Sequence, residues 1–158
     1  MSLQSFQVKI ASSENTINQI IDLRYAVLRQ PWDKPKDTVT DDLELSSVNA
    51  YIEIDEKIIA CGRLQNNGSN IGQIRYMAVH PHFQGKGLGK VIVTHLENEA
   101  RNFNLSSIEL QARENAIEFY KSQGYIIKEM SFKLWDIIQH YLMTKEMFTQ
   151  KVTFDEKK

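Results

Sequence analysis

One segment restricts the possible folds of this chain more than any other. An apolar strand pattern from Met77 runs into a loop with glycine at every second position, and a helical pattern follows. Glycine leaves the backbone N–H groups of residues 85–90 uncovered by side chains. The first turn of the following helix adds unpaired N–H groups and the positive end of a helix dipole. The order strand, glycine loop, helix therefore predicts a backbone-built anion site, which suits a pyrophosphate.

The spacing of the glycines separates this loop from two common nucleotide sites. Dinucleotide-binding loops need Gly-x-Gly-x-x-Gly, and the phosphate loops of NTPases need Gly-x-x-x-x-Gly-Lys-Ser/Thr. The order here is Gln84-Gly85-Lys86-Gly87-Leu88-Gly89-Lys90, which fits neither. The pattern Gln84-x-x-Gly87-x-Gly89 resembles the acyl-CoA signature of the GNAT family of N-acetyltransferases, Arg/Gln-x-x-Gly-x-Gly/Ala. The alternative is a strand-to-helix loop that uses glycine only for its tight geometry.

Length and composition are those of an ordinary globular protein. The chain has 158 residues, of which 42% are apolar and 25% are charged. These values predict a single domain over residues 1–150, followed by a charged tail at 151–158. The net charge of −1 offers no general attraction to nucleic acid, so we expect no nucleic-acid partner.

Cysteine usage and hydropathy predict a location. Cys61 is the single cysteine, so no intramolecular disulfide can form, and no Cys/His cluster has the spacing of a zinc site. The first residues have neither a basic start nor a long apolar run, and a run of about 18 apolar residues, enough to span a bilayer, does not occur. We therefore expect a cytoplasmic protein without a metal and without a membrane partner.

Hydrophobic periodicity predicts strands and helices along the whole chain. The predicted strands cover residues 6–10, 48–54, 57–65, 71–79, 107–112, 125–133 and 138–146. Predicted helices follow Ser12 or Ser13, run from the glycine loop to about Phe103, and cover residues 115–123. Because a helix joins strand 71–79 to strand 107–112, these two strands should be parallel, whereas the other connections indicate antiparallel neighbours.

A second motif begins at Asn115. The stretch Asn115-Ala116-Ile117-Glu118-Phe119-Tyr120-Lys121-Ser122-Gln123-Gly124-Tyr125 is similar to the second GNAT signature, Asn-x-x-Ala-x-x-Phe-Tyr-x-x-x-Gly-Phe/Tyr. The alanine follows Asn115 by one place rather than three, so the match rests on Asn115, Phe119-Tyr120 and Gly124-Tyr125. The resemblance implies an α/β (α+β) fold of GNAT type. Such a fold has a mixed, mostly antiparallel sheet of about seven strands, flanked by helices, with a splayed, parallel central pair at 71–79 and 107–112.

The resemblance also implies a site for acetyl-CoA. The pantetheine arm would continue the ladder of strand 71–79, and the pyrophosphate would lie on the amides of the glycine loop. Tyr120 is implied as the acid that protonates the departing thiolate, with a packed core tyrosine as the alternative. Asn115 is implied as a CoA contact, with a helix N-cap as the alternative. The expected cofactor-binding residues are Met77, Ala78, Val79, Gln84, Gly85, Lys86, Gly87, Leu88, Gly89, Lys90, Asn115 and Tyr120.

The resemblance is less specific about the oxyanion donor and the general base. The resemblance implies a backbone N–H near Met77 or Ala78, freed by a bulge in the strand, as the oxyanion donor. The family often places a glutamate early in this strand, but the chain has Gln73 there, which cannot accept a proton. The base stays open among four residues: Glu53, Glu109, His80 and His140.

The acceptor amine should contact the 30–47 loop and the final strand pair. Candidate residues are Trp32, Asp41, Asp42, Glu44, Trp135 and His140. The carboxylates among them would favour a cationic amine, although such residues in a proline-containing loop are commonly hydrated.

The leading hypothesis is therefore an acetyl-CoA-dependent N-acetyltransferase that acts on an amine of a small molecule or a peptide by direct attack in a ternary complex. A non-catalytic acyl-CoA-binding sensor is the alternative, because the strand carboxylate is missing. A nucleotide-binding module of another fold comes third. A homodimer through the terminal strands is compatible with this architecture.

Overall fold

The computed structural model describes residues 6–148, so the predicted tail at 151–158 lies outside the described residues. The chain forms two compact units. The first unit contains the chain up to Gln65 together with Ile74–Leu96. Among the described residues, the second unit contains Asn66–Gln73 together with Glu97–Phe148.

Strands and helices alternate much as the periodicity predicts. In chain order they are β1 (Lys9–Ile10), α1 (Glu14–Leu28), three 3-10 turns (Gln30–Trp32, Lys36–Val39 and Glu44–Ser46), β2 (Val48–Ile54), β3 (Lys57–Asn66), β4 (Ile71–Val79), a 3-10 turn (Pro81–Phe83), α2 (Leu88–Asn102), β5 (Ser107–Arg113), a 3-10 turn (Glu114–Ala116), α3 (Ile117–Ser122), β6 (Ile126–Leu134) and β7 (Ile138–Glu146). The strands form a seven-stranded mixed sheet in the order β1-β2-β3-β4-β5-β7-β6, with β4 and β5 parallel. The predicted fold class is therefore confirmed.

Two elements differ from the sequence prediction. The first strand, expected over residues 6–10, is reduced to Lys9–Ile10, because only these two residues pair with β2, opposite Tyr51 and Ala50. The helix expected over residues 115–123 begins as a 3-10 turn, and regular α-helix starts only at Ile117.

Two hairpin turns have the geometry that a short loop requires. Asp55 and Glu56 have φ angles of 51° and 66°, and Trp135 and Asp136 have φ angles of 53° and 57°. Successive left-handed residues match the twist of the flanking antiparallel strands. These turns fix the register of β2 against β3 and of β6 against β7.

The first unit brings the glycine-loop helix close to the sheet at Gly62. A Cβ atom built at Gly62 in β3 would overlap Met77 Sδ and lie 2.8 Å from Ile92 Cγ2. Overlap of this kind displaces side chains from their preferred rotamers and costs about 1–3 kcal/mol. Glycine at this position therefore permits the close packing of α2 over β3 and β4.

A buried ion network fastens the irregular 30–47 segment to the first unit. Arg24 of α1 is fully buried, and its guanidinium donates to both carboxylate oxygens of Glu44, at 2.7 and 3.0 Å. Arg63 of β3 is also fully buried and donates to both oxygens of Asp41, at 2.9 and 3.0 Å. Asn49 of β2 accepts a further hydrogen bond from Arg24 at 2.7 Å. Bidentate pairs of this type are directional, so they set the path of the segment.

The second unit has its own polar anchor. Glu97 at the C-terminal half of α2 accepts from the Tyr125 hydroxyl at 2.9 Å and from Lys145 Nζ at 3.1 Å. Lys145 also donates to the backbone oxygen of Gln123 at 2.7 Å. These contacts connect α2, the end of α3 and β7.

We expect Glu44→Gln to destabilise the protein by about 3–5 kcal/mol, because it leaves Arg24 without its buried counter-charge. Burial opposes ionisation of Glu44, but hydrogen bonding to Arg24 outweighs it, so the pKa of this carboxyl is below its usual 4.5. The stabilisation is present above that usual value and is lost as pH falls toward the lowered pKa. Urea unfolding at neutral and acidic pH measures both effects. Glu56→Gln, at an exposed turn, is the control, and equal midpoints for the two variants at neutral pH would contradict the role assigned to Glu44.

Candidate active site

The exit of β4 is held against the loop that follows it. The Gln84 side chain donates from Nε2 to the backbone oxygen of Val79 at 2.9 Å. The His80 N–H donates to the oxygen of Ile59 at 2.7 Å, and a 3-10 turn over Pro81–Phe83 follows. Gln84 and Val79, both expected at the cofactor, are thus brought together. The hydrogen bond from Gln84 positions the loop.

The glycine loop is an open array of N–H groups. Gly85 and Gly87 have φ angles of 80° and 83°, and no atom lies within 4 Å of a Cβ built at either residue. The left-handed backbone favours glycine at these two positions, and the space around them would admit a side chain. Among the described residues, the N–H groups of residues 85–90 have no hydrogen-bond acceptor, and the first helical bond runs from the Val91 N–H to the Gly87 oxygen at 3.2 Å. These unpaired N–H groups at the N-terminus of α2 fit the oxygens of a diphosphate.

Tyr76 interrupts the regular geometry of β4. Its φ angle is 56°, which is left-handed and costly for a residue with a bulky side chain. Met77 and Ala78, which contain the expected oxyanion donor, follow directly. The Met77 side chain lies beside Gly62, and Ala78 is only 4% exposed. The side chains of Met77 and Ala78 therefore belong to the packing of the first unit, and a ligand would meet their backbone.

Tyr120 lies on the short helix α3 of the second unit and is 8% exposed. Its ring packs edge-on against Phe119 and Tyr125, with centroid distances of 4.9 and 5.9 Å. Within residues 6–148 its hydroxyl has no hydrogen-bond partner. Burial raises the pKa of this phenol well above its usual 10. The hydroxyl is therefore protonated throughout the neutral range and retains a proton to donate.

Asn115 lies in the 3-10 turn before α3 and is exposed. The residue at the N-cap position of α3 is Ala116, which makes no side-chain capping bond. The helix-cap alternative for Asn115 is therefore wrong, and its side chain is available to a ligand.

The four base candidates differ in how their lone pairs are occupied. Glu53 pairs with Lys9 at 3.3 Å, and His80 Nδ1 accepts from the His82 N–H at 3.1 Å. His140 is 6% exposed, and its ring stacks on Phe132 at 4.5 Å.

Glu109 of β5 differs from these three candidates. It accepts one neutral hydrogen bond, from Asn67 Nδ2 at 3.2 Å, and the same amide donates to Gln73 Oε1 at 2.9 Å. The structure therefore places a carboxylate beside the glutamine that replaces the family's glutamate.

The acceptor-side residues fall into two groups. Trp32 is 38% exposed and Asp42 is exposed, so both are accessible. Asp41 and Glu44 are engaged by arginines, which lower the pKa of each carboxyl. For Asp41 the Arg63 hydrogen bond is the largest cause, and for Glu44 the arginine contacts overcome the opposing effect of burial. Because Asp41 and Glu44 are already neutralised, they do not provide the free negative charge that the sequence analysis expected for a cationic amine.

Sequence reasoning missed the arginines and Tyr76. Arg24 lies on the same stripe of α1 as Ile20, and the fully buried Arg63 lies in a mostly apolar strand. A charged residue on an otherwise buried stripe is a signal of a buried pair. The pattern does not indicate which carboxylates pair with these arginines.

Two kinds of feature are absent from residues 6–148. No helix there is long and apolar enough to cross a membrane. No three residues among His, Cys, Asp and Glu in this range are grouped so that they could hold a metal ion. Cys61 is buried, and burial raises the pKa of its thiol to about 11, so it is a poor nucleophile.

Comparison with known proteins gives a consistent result. A sequence profile described as the Acetyltransferase (GNAT) family matches residues 17–125. The uncharacterized N-acetyltransferase YjcF of Bacillus subtilis is 28% identical over 138 residues, covering 87% of this chain and 97% of that protein. The uncharacterized N-acetyltransferase ycf52 of Pyropia yezoensis is 28% identical over 99 residues, covering 63% of this chain and 57% of that protein. The chain thus spans little more than half the length of the ycf52 relative.

Solved structures share the fold. An acyl-CoA N-acyltransferase from Pseudomonas aeruginosa has a TM-score of 0.78 at 18% identity, covering 89% of this chain and 99% of that one. A Bacillus subtilis acetyltransferase in complex with CoA has a TM-score of 0.76 at 15% identity, covering 91% of this chain and 100% of that one. Identities this low establish the common fold alone.

Proposed function

Because the chain belongs to the GNAT family of acetyltransferases, we propose that it transfers an acetyl group from acetyl-CoA to a primary amine of a small molecule or a peptide, by direct attack in a ternary complex. The observation that carries this proposal is the array of unpaired N–H groups at residues 85–90, with open space over both left-handed glycines. Such an array stabilises a diphosphate without any charged side chain. Lys86 and Lys90 are exposed and add positive charge.

The proposed reaction has three tasks. The amine nitrogen attacks the thioester carbonyl carbon, and the resulting oxyanion accepts a hydrogen bond from the backbone near Met77 or Ala78. The C–S bond then breaks, and Tyr120 donates its proton to the thiolate. Because the pKa of Tyr120 is raised by burial, the acid is present in its protonated form across the neutral range. A base removes the proton that the amine loses.

Glu109 is our candidate for this base. A base needs an unprotonated group with a lone pair that is open to the amine proton. Among the described residues Glu109 has no ion pair, and its hydrogen-bond partner is the neutral side chain of Asn67, which also contacts Gln73. Of the other three candidates, Glu53 pairs with a lysine, His80 Nδ1 accepts a backbone hydrogen bond, and His140 is buried.

A non-catalytic acyl-CoA sensor is the second candidate function. Gln73 at the position of the family's glutamate favours it, because an amide cannot accept the amine proton. Such a protein would bind acetyl-CoA tightly and turn over no amine. For either function we expect a cytoplasmic location, and a homodimer through the terminal strands is compatible with both.

The glycine loop provides a matched test of cofactor binding. We expect Gly87→Ala to weaken acetyl-CoA binding about 10-fold, because an L-residue resists φ near 83° and shifts the loop amides. Gly68→Ala is the control: Gly68 has a φ of 88° and the same open surroundings, so the backbone strain is equal. Calorimetry with acetyl-CoA and a free-thiol assay with an amine panel measure binding and turnover. Equal affinities for the two variants, or a wild type that does not bind acetyl-CoA, would refute the assignment of the glycine loop as the cofactor site.

We expect Tyr120→Phe to lower kcat about 100-fold, since the thiolate then leaves without a proton donor. Because the folded pKa lies above the usual 10, wild-type activity should not fall through Tyr120 ionisation below about pH 10. Tyr125→Phe is the control, because that hydroxyl is committed to Glu97. Comparable pH–rate profiles and kcat values for wild type and Tyr120→Phe would exclude the acid role.

We expect Glu109→Gln to reduce kcat/KM about 100-fold at neutral pH, because the amide accepts no proton. Thiol release at saturating acetyl-CoA, measured from pH 6 to 9, is the assay. Glu129→Gln removes an equal charge from exposed β6 and should have little effect. If both variants retain full turnover, the base must be sought elsewhere.

A further inference from the structure

Three guanidinium groups surround the ring of Tyr76. Arg24, Arg63 and Arg75 lie 4.7, 4.9 and 4.6 Å from its centroid. Guanidinium groups stack on aromatic rings, and the planar contact leaves their N–H edges directed outward. All four residues belong to the first unit, as does the glycine loop.

The cluster has more positive than negative charge. Its three arginines pair with two carboxylates, Asp41 and Glu44. None of the three has a further ion pair within residues 6–148, so one positive charge is left without a counter-ion. A fourth cation, Arg29, lies close enough to Arg75 to be affected by it. Burial is the main reason that the pKa of Arg29 is lowered, and the charge of Arg75 adds to this lowering.

The uncompensated charge is accessible at Arg75. Its side chain is 36% exposed and makes one hydrogen bond, from Nη1 to Asp41 Oδ2 at 3.0 Å. Its Nε and Nη2 atoms, and the Tyr76 hydroxyl, have no hydrogen-bond partner among the described residues. The Nε atoms of the buried Arg24 and Arg63 are likewise unsatisfied within that part of the chain. Guanidinium and hydroxyl donors of this kind bind carboxylates.

Arg75 and Tyr76 lie immediately before the proposed oxyanion donor. Two chain steps separate Arg75 from Met77, so their Cα atoms are at most about 7 Å apart. An anion on the free Arg75 edge would therefore lie within a small molecule's length of the carbonyl that the amine attacks.

We propose that the acceptor is a small primary amine that bears a carboxylate, such as an amino acid, and that Arg75 and the Tyr76 hydroxyl bind this carboxylate. This inference rests on the proposed function and specifies its substrate class. The positive cluster disfavours polycationic acceptors, because bringing a second cation to an uncompensated guanidinium is repulsive.

The test compares amino acids with their own carboxamides. The two members of each pair differ in charge and share their shape, and the amide has the less basic, more readily deprotonated amine. A wild-type preference for the acid therefore reports carboxylate binding. We expect the ratio of kcat/KM for acid over amide to be about 10 or more. Spermidine and an N-terminal alanine peptide complete the panel.

The variants assign the preference to Arg75. Arg75→Gln should reduce the ratio at least about 10-fold, and Arg75→Lys should retain part of it because the charge remains. Lys57→Gln removes one exposed positive charge from the start of β3 and is the matched control. A purely structural role of the Arg75–Asp41 pair would lower activity toward acids and amides equally. An unchanged ratio in Arg75→Gln therefore overturns the proposal.

The remaining outcomes separate this inference from the proposed function. If the wild type binds acetyl-CoA and acetylates amides, spermidine or the peptide better than amino acids, the substrate class is wrong while the enzyme assignment holds. If it binds acetyl-CoA without turnover, calorimetry measures the binding of each amino acid and its carboxamide to the acetyl-CoA complex. Tighter binding of the acid supports the carboxylate site, and equal binding overturns it. If acetyl-CoA does not bind, the proposed function and this inference fail together.

Discussion

The buried pairing of Arg24 with Glu44 and of Arg63 with Asp41 is the interaction on which the first unit depends. The 30–47 segment has only short 3-10 turns, so it has little regular backbone hydrogen bonding of its own. Two bidentate charge pairs with fully buried arginines give it a defined path instead. Removing one member of such a network leaves an uncompensated charge in a low dielectric, so its members must be retained together. The ion network thus sets the path of an irregular segment.

The same network changes the electrostatic character of the acceptor side. The sequence presents Asp41, Asp42 and Glu44 as an acidic loop, and taken alone they indicate attraction for cations. Folding brings arginines from α1, β3 and β4 onto two of these carboxylates and onto the face of Tyr76. The sign of a local charge is therefore a property of the folded cluster, and composition within one loop does not determine it.

The predictable features are those encoded locally. The glycine loop, the bounds of β2 and β4, and a helix cap at Ser12 or Ser13, which the structure places at Ser13, each follow from a few adjacent residues. The missed features depend on distant partners. Arg63 and Asp41 are 22 positions apart, and Arg24 and Glu44 are 20 apart. Likewise the short β1 is set by the length of its pairing with β2, since the alternating pattern alone indicated a longer strand.

Gly62 has a consequence for any attempt to redesign this protein. The absence of a side chain there lets Met77 and Ile92 pack against the backbone of β3. The lack of a Cβ atom at Gly62 therefore sets the spacing between the sheet and α2. A laboratory selection for altered acyl-donor preference would therefore recover no substitutions at position 62. Substitutions that alter donor preference would then have to lie at other positions, while this contact stays unchanged.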